Sequence, residues 1–328
     1  MNKNTRWMTL LRYTYQPFHA RVLFNRILGV SRAIANLVPI RAEESPLSCD
    51  PVFIVSAGRS GSTLLRSMLA AGEQIAIPAE TQMIHTLPIK FNATRRLGWE
   101  TQARLIIATF ESHPNFPLWG VDLSDAYQRV LKLEPQERSL ARVIDEVFLT
   151  YARQAFPTAK IWGDQSPIHA LYMPDILRIF PRVKFLHLLR DGRDVVASKV
   201  VKNGDESLYS AVHRWKTCVK RSRQIQKKVG PQQFLEVRYE DLVTAPEHTL
   251  NQVCDYIGID YDQRMLDYWK LPSTVEHKYK PYHQNLTKPV FSSSIGSWKE
   301  RLSSQQLAFI METIQQELEL LGYLEKLS

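Results

Sequence analysis

Two short stretches of this chain carry residue types that bind anions. The first runs from Val52 to Leu65. An apolar segment suited to a buried strand, Val52 to Val55, enters a turn made of Gly58, Arg59, Ser60, Gly61, Ser62 and Thr63, where helical spacing begins. Glycines let backbone N–H groups converge, and a helix start adds positive partial charge. The arginine and the three hydroxyls add further donors. Together they make a pocket for a phosphate-like anion. An ordinary strand–turn–helix accounts for the glycines but not for Arg59 beside three hydroxyls. The second stretch runs from Lys184 to Ser198: an apolar segment ends at Arg190, and Ser198 follows one short helix later. An Arg at a strand end and a Ser on the next helix can clamp one phosphate. Taken alone, Arg190 to Asp194 would read as a charged surface turn.

The first loop is shorter than a Walker A loop, and Gly61 is followed by Ser62 instead of the lysine that reaches the β- and γ-phosphates. A nucleoside triphosphatase is therefore disfavoured. The loop resembles instead the 5′-phosphosulfate loop of sulfotransferases that use 3′-phosphoadenosine 5′-phosphosulfate (PAPS). The second stretch resembles that family's 3′-phosphate motif, with Arg190 and Ser198 at the matching positions. Glu236 to Leu242 is similar to the strand-end segment whose tyrosine contacts adenine, which implicates Tyr239. Lys288 to Trp298 resembles the C-terminal loop that closes over the nucleotide. The variant it resembles most is the branch of protein-tyrosine sulfotransferases and their bacterial relatives. In that branch Lys288 and the Ser292–Ser294 run, Ser293 included, would touch the nucleotide. The resemblance spans about Pro51 to Tyr323. It implies PAPS as cosubstrate, no metal, and a phosphate-loop fold.

Sulfuryl transfer requires in-line positioning, charge neutralisation on the leaving phosphate, and a proton acceptor. Arg59 is the candidate for the leaving group. Glu80, followed by Thr81, matches the base of the tyrosine-sulfating branch; its alternative is an exposed loop carboxylate. One position departs from the family. Ile161 to Pro167 resembles a segment that commonly holds a lysine near the sulfonate, and this chain has Gln165 there. Gln165 can donate a hydrogen bond but carries no charge. It either substitutes weakly, leaves the task to another cation, or lowers activity; Ser166 is a further possible donor. Among the histidines, His187 lies in an apolar strand and reads as a core residue. His85 and His169 could line the acceptor side, and His277 and His283 fall in a long late loop. No histidine pair has helical metal-site spacing.

The elements that must position these groups alternate. Strands are expected at Val52–Val55, Lys160–Trp162, Val183–Leu189 and Phe234–Val237. Helices are expected at Thr63–Ala71, Arg138–Phe156, Tyr172–Phe180, Val195–Val201, Leu208–Val229, Pro246–Ile257 and Ser304–Leu321. This is an α/β chain with a central parallel sheet flanked by helices. Its basic helix from Leu208 reads as a solvated face. Trp215 and Trp298 read as packing residues. The 328 residues are 44% hydrophobic and 23% charged, which excludes dominant disorder. Three scattered cysteines exclude a disulfide scaffold and a cysteine zinc site.

Residues 1–45 form a basic extension, with one amphipathic helix readable from Arg21 to Val38, ahead of a domain spanning 46–328. The extension lacks a membrane-spanning run and a secretory signal pattern. A cytoplasmic enzyme is expected, with a route to peripheral membrane contact through that helix. The net charge of +9 favours anionic partners, yet no nucleic-acid motif stands out. The expected acceptor is a small molecule, a glycan or a lipid in preference to protein tyrosine. Two alternatives stand: a phosphate-loop kinase, and a nucleotide-binding protein without transferase activity.

Overall fold

The structure is a computed structural model and describes residues 47–202, 206–270 and 285–324. The N-terminal extension with its boundary at residue 45, and His277 and His283, lie outside the described residues. So do Tyr279 and Tyr282 of the same late loop.

The described strands are β1 (Val52–Ser56), β2 (Ile75–Ala76), β3 (Ile161–Gln165), β4 (Lys184–Leu189) and β5 (Phe234–Arg238). They form one parallel sheet in the order β2-β3-β1-β4-β5. Central β1 pairs Val52 with both Gly163 and Lys184. Its Val52, Phe53, Ile54 and Val55 are wholly buried, which explains why β1 reads as a continuous apolar run. On one face, Phe53 packs with Trp162, Phe180 and Phe185, and Phe148 stacks on Trp162 at 4.3 Å. On the other, Val52 and Ile54 join Leu65, Met68 and Leu69. Each such side chain contributes about 1.5–3 kcal/mol by leaving water.

The helices that cover the sheet are α1 (Ser62–Ala71), α2 (Leu87–Ala93), α3 (Gly98–Glu111), α4 (Ser124–Leu131), α5 (Leu140–Ala155) and α6 (Met173–Ile179). They continue as α7 (Gly192–Ala197), α8 (Leu208–Val229), α9 (Tyr239–Thr244), α10 (Pro246–Ile257), α11 (Trp298–Arg301) and α12 (Ser304–Leu320). None among the described residues is long and apolar enough to cross a membrane. The order of strands places a switch between β1 and β4: the chain leaves β1 toward β2 and β3, and leaves β4 toward β5. In open α/β sheets the crevice at the carboxyl ends of such strands is where ligands bind.

Three expectations change. The strand at Lys160–Trp162 runs on to Gln165 because it pairs with β1 through that residue. The helix at Val195–Val201 begins at Gly192, where Asp191 accepts the Arg193 N–H, and passes at Ser198–Lys202 into a π-helical turn. Basic α8 is not simply a solvated face. Trp215 and Cys218 are buried, Lys216 and Lys220 approach Glu317 of α12, Arg223 pairs with Glu236 of β5, and Arg214 pairs with Glu206. Lys227 and Lys228 remain exposed.

Candidate active site

The loop between β1 and α1 turns through the left-handed region at three positions, two of them the glycines that adopt it without steric cost. Gly58, Arg59 and Gly61 have φ of 76°, 58° and 87°. Gly61 is obligatory for a second reason: a Cβ there would sit 2.5 Å from Tyr239 Cδ2, so only glycine lets the loop lie on that ring. Gly61 also caps α1 without any side-chain hydrogen bond, which leaves first-turn N–H groups available to a ligand. The hydroxyl of Ser56 braces the turn, accepting from Gly58 N at 3.1 Å and lying 3.4 Å from Ser62 Oγ.

The second stretch meets this loop directly. Arg190, the residue after β4, donates through Nη1 to the Arg59 carbonyl at 3.1 Å and through Nη2 to the Ser294 carbonyl at 2.7 Å. Its guanidinium stacks 4.3 Å from the centre of the Tyr239 ring. Ser198 accepts from Arg59 Nε at 3.2 Å. Residues more than a hundred positions apart thus share one hydrogen-bonded cluster. Buried Arg190 Nε has no partner among the described residues. A buried donor of this kind costs free energy unless an acceptor arrives.

Around this cluster lies a cavity of about 400 Å³. Its described lining holds the cations Arg59, Arg190, Lys199 and Arg301, and the carboxylates Glu80 and Glu206. Gly61, Ser62, Thr63, Ser198, Tyr239 and Ser293 also face it. The far wall comes from the chain between Asn285 and Ser294, with apolar Leu286, Val290 and Phe291. Besides the Arg190 bond to Ser294, that wall has further ties. The Tyr239 and Ser294 hydroxyls share a short hydrogen bond. Just beyond, wholly buried Asp194 accepts from Gly296 N at 2.8 Å, Ser297 Oγ at 3.1 Å and Trp298 N at 2.9 Å. Removing that acceptor leaves three donors without it, and Asp194→Ala should cost about 3 kcal/mol. A lowered midpoint in urea denaturation checks this; an unchanged midpoint would show that the wall is held by other contacts.

The sulfotransferase family model matches residues 51–263, nearly two-thirds of the sequence, including the Val52–Leu65 and Lys184–Ser198 stretches and their surroundings. The chain belongs to the sulfotransferase family. Protein-tyrosine sulfotransferase A of Caenorhabditis elegans is 22% identical over 300 residues, covering 88% of this chain and 71% of that protein. The omega-hydroxy-beta-dihydromenaquinone-9 sulfotransferase of Mycobacterium bovis is 23% identical over 302 residues, covering 78% of this chain and 73% of that enzyme. Among solved structures, the sulfotransferase domain of the Synechococcus PCC 7002 olefin synthase matches with a TM-score of 0.58 at 22% identity. That match covers 84% of this chain and 98% of that domain. It supports the same central-sheet fold.

In this sulfotransferase Glu80 is half-buried and faces the cavity. Its carboxylate accepts from Gln82 Nε2 at 2.7 Å, and its carbonyl accepts from Asn115 Nδ2 at 3.0 Å. The segment bearing it is clamped by the end of β3. Thr81 Oγ1 donates to Asp164 at 2.6 Å, and Ser166 Oγ accepts from the N–H groups of Thr81 and Gln82 at 3.1 and 3.2 Å. Burial pushes Asp164 up to about 6, while hydrogen bonds from Thr81 and Ser166 oppose that rise.

Several residues singled out in the sequence have other surroundings. Ser60 is buried and donates to the Gly58 carbonyl, so it shapes the loop instead of lining the cavity. Gln165 is buried and donates to Ser62 Oγ at 3.1 Å, behind the loop. Ser166 is used in the Glu80 clamp. Lys288 is exposed and outside the described lining; its carbonyl accepts from the Tyr268 hydroxyl at 2.9 Å. His169 does not line the cavity: it is wholly buried beside Phe53, where desolvation lowers its pKa to about 3. His85 stacks on Tyr172 at 3.9 Å, outside the described lining. His187 contacts Glu236 at 3.1 Å, the satisfied core histidine expected. Trp215 donates to the Arg190 carbonyl and Trp298 packs under Arg193, as packing residues. The sequence reading missed Lys199, Glu206 and Arg301. A lysine inside the apolar run Val195–Val201 was the available signal for the first.

Proposed function

We propose that this sulfotransferase takes its sulfonate from PAPS and passes it to a hydroxyl or amine, releasing adenosine 3′,5′-bisphosphate. The observation that carries the reading is the direct contact of the two anion-binding stretches: Arg190 on the Arg59 carbonyl, Arg59 on Ser198. One cavity therefore offers two cationic anchors joined by hydrogen bonds, as a nucleotide with two separate phosphates requires. The partnerless Nε–H of Arg190 and the uncapped start of α1 fit such a ligand.

In this reading Arg59, Gly61, Ser62 and Thr63 hold the 5′-phosphosulfate, with Ser60 supporting the loop, and Arg190 and Ser198 hold the 3′-phosphate. Tyr239 contacts the base, Ser293 approaches the nucleotide from the far wall, and Lys288 has at most a peripheral part. Arg59 stabilises the charge that collects on the leaving 5′-phosphate oxygen, and Glu80 takes the acceptor proton. The acceptor oxygen bonds to sulfur while the sulfur–phosphate oxygen bond breaks, its electron pair leaving with the phosphate. The acceptor is a small molecule, glycan or lipid; the relative named for a hydroxylated menaquinone supports the lipid option.

The test is thermal stabilisation by adenosine 3′,5′-bisphosphate beside ATP and AMP. At a hundredfold excess over its dissociation constant the ligand adds about 2.7 kcal/mol. A shift specific to the 3′,5′-bisphosphate is expected. No shift, or an equal one with ATP, would return the kinase reading to the front.

A further inference from the structure

We propose that Lys199 binds the transferred sulfonate, and that Glu206 holds it in place until the donor arrives. The inference rests on the PAPS reading above and adds the group that faces sulfur. Lys199 is buried, lines the cavity, and sits in the π-helical turn that begins at Ser198. Its Nζ lies 3.7 Å from where a Gly58 Cβ would stand, with Pro167 on the same spot at 3.6 Å. The ammonium therefore lies at the first glycine of the phosphate loop, beside the end of β3. From there the contacts lead toward the proposed base: Pro167 follows Ser166, which holds the N–H groups of Thr81 and Gln82 next to Glu80. Arg190 and Tyr239 lie on the Ser294 side of the loop. Lys199 thus belongs to the side where acceptor and sulfonate must meet. Gln165 adds no charge there, because its amide is neutral and turned to Ser62.

The pairing with Glu206 makes a buried ammonium tolerable. Lys199 Nζ lies 3.0 Å from Glu206 Oε2. Burial lowers the Lys199 pKa and the Glu206 contact opposes that shift. Glu206 has other partners: Ser210 donates to it, and Arg214 lies at 2.9 Å. Burial works against its charge, but the bonds from Ser210, Lys199 and Arg214 outweigh that and keep its pKa low. Glu206 consequently stays compensated when Lys199 turns toward a sulfonyl oxygen. A lysine suits such a move, being a compact charge on a flexible stem. No proton leaves Lys199 in the step; it donates hydrogen bonds to the non-bridging oxygens while the acceptor proton goes to Glu80.

The experiment compares binding of PAPS with binding of adenosine 3′,5′-bisphosphate, which differ by the sulfonate alone. Titrations of Lys199→Met should show PAPS weakened at least about tenfold, the worth of a charged hydrogen bond, with the bisphosphate unchanged. The double variant K199M/E206Q removes both charges and keeps the fold testable if a lone Glu206 proves harmful; it should show the same selective loss. Lys199→Arg should keep most of the PAPS preference. Equal weakening of both ligands, or of neither, overturns the assignment. Wild-type protein that binds neither nucleotide would overturn the PAPS reading itself, an outcome distinct from the loss of selectivity.

Discussion

Arg190→Ala should weaken binding of adenosine 3′,5′-bisphosphate, the proposed product nucleotide, about a thousandfold, or about 4 kcal/mol, and remove its thermal stabilisation. The size follows from how much Arg190 does at once. It bonds the Arg59 carbonyl of the β1–α1 loop and the Ser294 carbonyl of the far wall, and it stacks on Tyr239. Alanine removes the cation proposed to meet the 3′-phosphate and also loosens the two walls it joins. Charge-assisted hydrogen bonds are the strong ones. Arg190→Lys separates the two contributions: it keeps the charge and loses the planar fork, so an intermediate affinity is expected. Calorimetric titration of the three proteins measures this. Wild-type affinity in the alanine variant would mean that the 3′-phosphate lies elsewhere.

Glu80→Gln should lower turnover by about 10²–10⁴-fold, the usual contribution of a positioned general base. The substitution is close to isosteric, and its carbonyl oxygen can still accept from Gln82 Nε2, the bond made by Glu80 at 2.7 Å. The clamp through Thr81, Asp164 and Ser166 uses neighbouring atoms and is untouched. Nucleotide affinity and stability should therefore match the wild type, with the loss confined to kcat for any hydroxyl acceptor the enzyme sulfonates. Full turnover in this variant would assign the proton to another group.

The Val52–Leu65 and Lys184–Ser198 stretches were legible because each combines a buried strand, a turn with few alternatives, and a donor at a fixed offset. The sheet was legible for the same reason: β1 and β4 are buried and mostly apolar. Two-residue β2 carries too little pattern to be read. Helices α2, α3 and α4 occupy a stretch for which the sequence reading offered no element, and α3 is half-exposed, with Leu105 among its exposed positions. Gln165 shows a further limit. Motif position placed it near the sulfonate, whereas its orientation depends on Ser62, a long-range partner. Lys199 and Glu206 are the converse case: no motif names them, and only their 3.0 Å contact shows them as a pair.

The cavity draws on residues from Gly58 to Arg301, and its wall is fastened by Asp194 bonds that span 102 to 104 positions. Contacts of such separation are slow to find, because loop closure must come before their reward. Affinity for the proposed nucleotide would therefore read out whether this late wall has docked. A refolding intermediate that already contains the sheet and the β1–α1 loop would, on the proposed reading, bind nucleotide poorly until the segment from Asn285 to Arg301 docks. Once it docks, ligand binding would stabilise the contacts that formed last.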